Sequence, residues 1–213
     1  MYGIMYVIAL VHCMKTGTAG WNTMRTQEGL KAIYEARCSR YEKHLHVGMD
    51  TTSIILKGHL FVEELLFDIL KLHCRDSGPI ENIKLGFSHK LNLVHAMFGS
   101  HLPGMEFPKN VWAALDKLNK LRNSLAHNID SPRAAEVFKS FVSSYSQLVG
   151  KEVKVSITDE IPGIDRKLGL ELIGIIMYLL GFLGCLHGIA YLNPPLMYGS
   201  EIPVTIPNKI EHE

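Results

Sequence analysis

The chain has 213 residues, with 22 Lys and Arg against 21 Asp and Glu and a formal net charge of +1. That length suits one domain with a small appendage, and a hydrophobic share of 47% with only 20% charged residues excludes intrinsic disorder. Near-neutral charge excludes a generally basic nucleic-acid binder, so any nucleic-acid contact must come from a local patch or from two patches pooled in a dimer.

In chain order, Met1 to Val11 carries no charge, and the first basic residue, Lys15, follows this apolar run. A signal peptide needs its basic region in front. Met24 precedes a more ordinary helical sequence. Residues 1–23 are therefore expected to be an apolar extension upstream of a natural start. A single helical domain over 24–192 follows, then an extended Pro-rich tail over 193–213. An amphipathic helix is expected from Thr26 to Val47, with Leu30, Ile33, Tyr34, Tyr41 and Leu45 at helical spacing. Asp50, Thr51, Thr52 and Ser53 offer N-cap oxygens to a second helix from Ile54 to Cys74. The run Arg75-Asp76-Ser77-Gly78-Pro79 ends it by turn chemistry.

Ser88 can cap a short helix from His89 to Phe98, stopped by Gly99 and the Pro103-Gly104 turn. Pro108 suits the first turn of a helix running to Asn128, and Pro132 opens another to Leu148. Between Lys151 and Thr158 the apolar period becomes two, which predicts one short strand, with Ile202 to Ile206 as a pairing candidate. Leu168 to Leu192 is long enough to span a bilayer, which takes about 20 apolar residues. Its Gly174, Gly181, Gly184 and Gly188 share one arc at about 100° per residue, a stripe that lets another helix come close. Glu171 interrupts the run and no aromatic belt frames it, which favours a buried bundle helix over a membrane span. The fold class expected is all-α, with a short strand and an extended tail.

Cys13, Cys38, Cys74 and Cys185 are scattered without a CxxC pair, so neither a disulfide framework nor a zinc site is expected. No acidic or thiol cluster completes the His44-Leu45-His46 pair, and no metal or cofactor is expected. A reducing cytosol fits this cysteine usage.

The helix from Pro108 to Asn128 carries the most chemistry. With Leu118 at zero, Val111, Ala114, Leu115, Leu121, Leu125 and Ile129 fall within about 60°. Lys109, Asp116, Lys120, Asn123 and His127 gather on the opposite, solvated side. Arg122 breaks the pattern, lying at about 40°, inside the apolar stripe. A guanidinium there must snorkel, pair with a carboxylate or face a subunit interface. The bland reading is an ion pair with Glu63 or Glu64 of the preceding long helix, and for His127 an ordinary surface histidine.

The segment Arg122-Asn123-Ser124-Leu125-Ala126-His127 resembles the motif of HEPN domains (the higher-eukaryote and prokaryote nucleotide-binding helical superfamily): an Arg, a polar residue, then a His after a short gap. Leu118-Asn119-Lys120-Leu121, the run from Gly58 to Leu66 and Phe87-Ser88-His89-Lys90-Leu91 are similar to such domains in the same order. The resemblance spans Ile54 to Leu148. It implies a HEPN-like helical bundle that dimerises through the motif helices. It also implies a metal-independent endoribonuclease of toxin–antitoxin or antiviral systems, with an antitoxin or sensor protein as partner.

The chemistry of such a site is simple. A ribose 2′-OH attacks its own adjacent phosphate, His127 moves the proton and Arg122 stabilises the developing charge. Asn123 orients His127 or holds a phosphate oxygen, while Lys120 and Lys109 attract the RNA backbone. On one helix Arg122 and His127 are separated by about 140°, so a composite site needs a two-fold dimer. Two further classes stay open: a non-catalytic HEPN module binding a nucleotide, RNA or protein, and a membrane-attached effector using 168–192.

Overall fold

The computed structural model describes residues 26–102, 105–127, 132–150, 152–153, 161 and 163–192, with the side chains of Leu102, Met105, His127 and Pro132 outside that description. The expected extension over 1–23, the tail over 193–213, and all of the expected strand beyond Val153 therefore lie outside the described residues.

The fold is an all-α bundle. Its helices are α1 (Gln27–His44), α2 (Thr51–His73), α3 (Gly78–Glu81), α4 (Phe87–Phe98), α5 (Val111–His127), α6 (Pro132–Val149) and α7 (Arg166–Leu192). A two-residue antiparallel pair, β1 (His101–Leu102) with β2 (Met105–Glu106), links α4 to α5 in the register His101 to Glu106 and Leu102 to Met105. α2 is the central helix: it packs most extensively on α7 and also meets α4 and α5, while α6 lies on α5 and α1 on α7.

The local chemistry explains these boundaries. The Asp50 carboxylate accepts from the Ser53 backbone N–H at 2.8 Å, so α2 begins at Thr51, three residues earlier than the apolar pattern suggested. Thr26 caps α1 in the same way, accepting from Gly29 N–H at 3.0 Å. Ser88 does not cap α4. The cap position is Gly86 and the helix starts at Phe87, so Ser88 lies inside the first turn, where its hydroxyl accepts from Asn119. The Gly78-Pro79 sequence expected as a plain turn forms the single-turn α3, with proline at a position where a missing N–H is harmless.

The core follows helical periodicity. Ile54, Ile55, Val62, Leu65, Leu66 and Ile69 of α2 face Leu172, Ile175, Ile176, Leu179 and Leu183 of α7, all of them buried. Gly58 allows this approach: a Cβ there would collide with three atoms of the Ile176 side chain. On the α5 side, Val111, Ala114, Leu115, Leu118, Leu121 and Leu125 are all buried, as the wheel requires, against Phe138 and Phe141 of α6 in the same core. α7 is long and apolar enough to cross a membrane, and half of its most apolar stretch is buried inside the bundle. Of its glycine stripe, Gly184 and Gly188 receive Tyr34 of α1, whose hydroxyl donates to the Gly184 carbonyl at 2.6 Å. Gly174 and Gly181 face open space.

Candidate functional site

The last turns of α5 hold the residues the sequence singles out. Arg122 is half-buried, at the edge of the apolar stripe. Its Nη1 donates to the Oδ1 of Asn123, 3.1 Å away on the exposed side of the helix. No carboxylate pairs with Arg122 among the described residues. His127 is the final residue of α5, and its side chain lies outside the described residues.

The two glutamates expected near Arg122 are engaged elsewhere. Glu63 accepts from Lys90 Nζ at 2.8 Å, and its other oxygen lies 3.9 Å from His59 Nδ1. Glu64 is held by both Arg40 guanidinium nitrogens, at 2.7 and 3.0 Å, on the α1 side of α2. The two basic residues of the polar face behave differently. Lys120 is exposed and paired with Asp116 at 2.7 Å, one turn earlier. Lys109 is exposed in the turn before α5, next to Asn110, whose φ of 67° is left-handed. Arg122 and Asn123 are thus brought together, Lys120 shares the same helix one turn earlier, and Lys109 sits at the far end.

Beneath this face lies a buried polar cluster that the sequence reading did not identify. His59 of α2 is 2% exposed and stacks on Phe87 with ring centroids 4.4 Å apart. Its Nε2 is 3.1 Å from Asn119 Oδ1, and Asn119 in turn donates Nδ2 to Ser88 Oγ at 3.2 Å. Three helices therefore meet through one hydrogen-bonded chain, with Asn119 one turn before Arg122 and Asn123. Burial holds the His59 ring below its ordinary pKa, and the positive charges of Arg122 and Lys90 push the same way, against the Asn119 hydrogen bond and the Glu63 charge. A signal was present in the sequence: His59 stands four residues after Ile55 and three before Val62, on the apolar face of α2.

Among the described residues no group of three His, Cys, Asp or Glu is placed to hold a metal ion. The arrangement offers a cation and a neighbouring amide at a helix end, suited to a phosphate oxygen. No family model, curated protein or solved structure matches the chain. The class defined by fold and geometry is therefore an all-α bundle with an Arg–Asn pair displayed at the end of one helix.

Proposed function

We propose that the protein is a metal-independent endoribonuclease of HEPN type, acting as a toxin or antiviral-defence effector in the cytoplasm. The observation that carries this reading is Arg122. It sits at an apolar edge of α5, yet it has no carboxylate partner among the described residues and is steered onto Asn123. A half-buried arginine used only for structure is normally paired with a carboxylate; one steered onto a neighbouring amide, with no carboxylate partner among the described residues, suits an external anion.

In the proposed reaction the ribose 2′-oxygen attacks the adjacent phosphorus. A new 2′-O–P bond forms and the P–O5′ bond breaks, leaving a 2′,3′-cyclic phosphate and a 5′-hydroxyl. His127 takes or gives the proton, Arg122 stabilises charge on the phosphoryl oxygens, and Asn123 fixes the Arg122 fork. Lys120 and Lys109 add a modest pull on the RNA backbone. Because Arg122 and His127 point about 140° apart on one helix, the full site forms when α5 meets its own copy across a two-fold axis. α7 is long and apolar enough to cross a membrane and half of its most apolar stretch is buried in the bundle, so membrane fractionation separates the cytoplasmic reading from a membrane-attached effector.

The test is the chemistry of the ends. Purified protein incubated with RNA in EDTA is expected to leave cyclic phosphate and 5′-hydroxyl termini. Binding of RNA without cleavage supports the non-catalytic module instead, and cleavage that needs a divalent ion overturns the mechanism.

A further inference from the structure

The chain of atoms through His59 fixes its tautomer. An amide oxygen only accepts, and Asn119 uses its amide N–H on Ser88, so the His59 nitrogen 3.1 Å from Asn119 Oδ1 carries the ring proton. Nδ1 is then the lone-pair nitrogen, and it is a buried atom without a hydrogen-bond partner. Glu63 Oε2 lies 3.9 Å from it. A carboxylate gains nothing from a lone pair, and Glu63 gives its other oxygen to Lys90, which also lies over the Phe67 ring.

We propose that His59 is a proton-sensitive positioning residue: neutral, it pins α5 through Asn119 beneath Arg122, and a proton taken up at Nδ1 puts a buried charge beside Lys90 and Arg122 that destabilises the α2–α4–α5 seam.

The charged groups that face it are Glu63 on its own helix, Lys90 on α4 and Arg122 on α5. A ring charge arising there joins two cations, with one carboxylate to answer all three. Burial opposes the charge as well, so the ring stays neutral and the seam carries no added charge through neutral pH. The unfolded chain takes up a proton on His59 as pH falls through about 6.5, while the folded chain resists it. This contribution to stability is therefore complete above that value and is lost progressively below it. Any consequence for RNA cleavage rests on the ribonuclease reading. The seam itself does not, so its test reads the ring and the stability rather than activity.

Nitrogen NMR of the wild type near pH 7.5 is expected to show His59 as the Nε2–H tautomer, with a titration midpoint below the ordinary value of about 6.5. Between about pH 7.5 and about pH 5.5, the wild type should lose more thermal stability than His59→Gln. Glutamine still presents an N–H toward Asn119 but takes up no proton. Asn119→Asp should raise the His59 midpoint by about one pH unit or more, because a carboxylate then faces Nε2. An Nδ1–H tautomer, a midpoint at or above the ordinary value, or equal acid losses in wild type and His59→Gln overturn the proposal. If His59→Gln does not fold, the wild-type tautomer and the Asn119→Asp shift decide it.

Discussion

At the scale of single residues, Arg122 and Asn119 occupy neighbouring turns of α5 and do opposite things. Asn119 is buried and bonded on both sides, so removing its amide leaves the buried His59 Nε2–H short of a partner. Arg122 bonds to an exposed amide on its own helix, and no carboxylate among the described residues is stranded by its removal. Asn119→Ala is therefore expected to cost about 1–3 kcal/mol, the penalty of an unsatisfied buried donor. Arg122→Ala should shift stability by about 0.5 kcal/mol or less. Chemical denaturation of the two variants checks the contrast, and a large loss in Arg122→Ala would mean that its role is structural.

The same comparison shows what a sequence can carry. The wheel placed Arg122 inside the apolar stripe, and it is found half-buried; periodicity alone goes that far. Which carboxylate, if any, it meets depends on how α2 and α4 sit around α5. Lys90 takes Glu63 and Arg40 takes Glu64, from two other helices, and no spacing within α5 could announce that. His59 was hidden for a related reason: it reads as one polar residue on an apolar face, and only the pairing of α2 with α5 gives it Asn119.

At the scale of elements, the glycines separate what periodicity reveals from what packing decides. A stripe on α7 was legible, but only its C-terminal half receives another helix, through Tyr34. Gly58, where a Cβ would collide with Ile176 of α7, is the single glycine of its helix and belonged to no glycine stripe. Helix starts were legible to within a few residues: Asp50 was one of four candidate caps for α2, and Thr26, expected as the first residue of α1, is its cap. At Ser88 the cap reading failed because the helix begins one residue before it, at Phe87, with Gly86 in the cap position. Substitution separates these positions cleanly. Gly174→Ala should stabilise by up to about 1 kcal/mol, since alanine favours helix and the site opens to empty space. Gly58→Ala and Gly188→Ala gain the same propensity but drive a methyl into Ile176 or Tyr34, and overpacking costs about 1–3 kcal/mol. Melting temperatures should rise for the first and fall for the other two. A rise at Gly58 would show that α2 and α7 can part without cost.

For the whole molecule, the bundle joins a large apolar core to a helix end bearing a cation without a carboxylate partner among the described residues. Half of the most apolar stretch of α7 is buried in that core, so the helix has work to do in the bundle even though its length also suits a bilayer. The proposed site is split: one α5 cannot bring Arg122 and His127 to a single phosphate, and two related by a dyad can. The protein should accordingly be a homodimer at micromolar concentration by light scattering, and Arg122→Glu should weaken that dimer or abolish cleavage. A monomer with full activity removes the composite site.

The central claim is that the end of α5 performs acid–base chemistry on RNA, and His127 is where it can be read with least ambiguity. The residue ends its helix on the solvated side of the wheel, so His127→Ala should fold like the wild type, within about 0.5 kcal/mol. The decisive measurement is the initial rate of RNA cleavage in EDTA by wild type and His127→Ala at equal protein concentration. The account predicts a fall of about a hundredfold or more, the usual cost of losing a general acid or base; equal rates in the two proteins would contradict it.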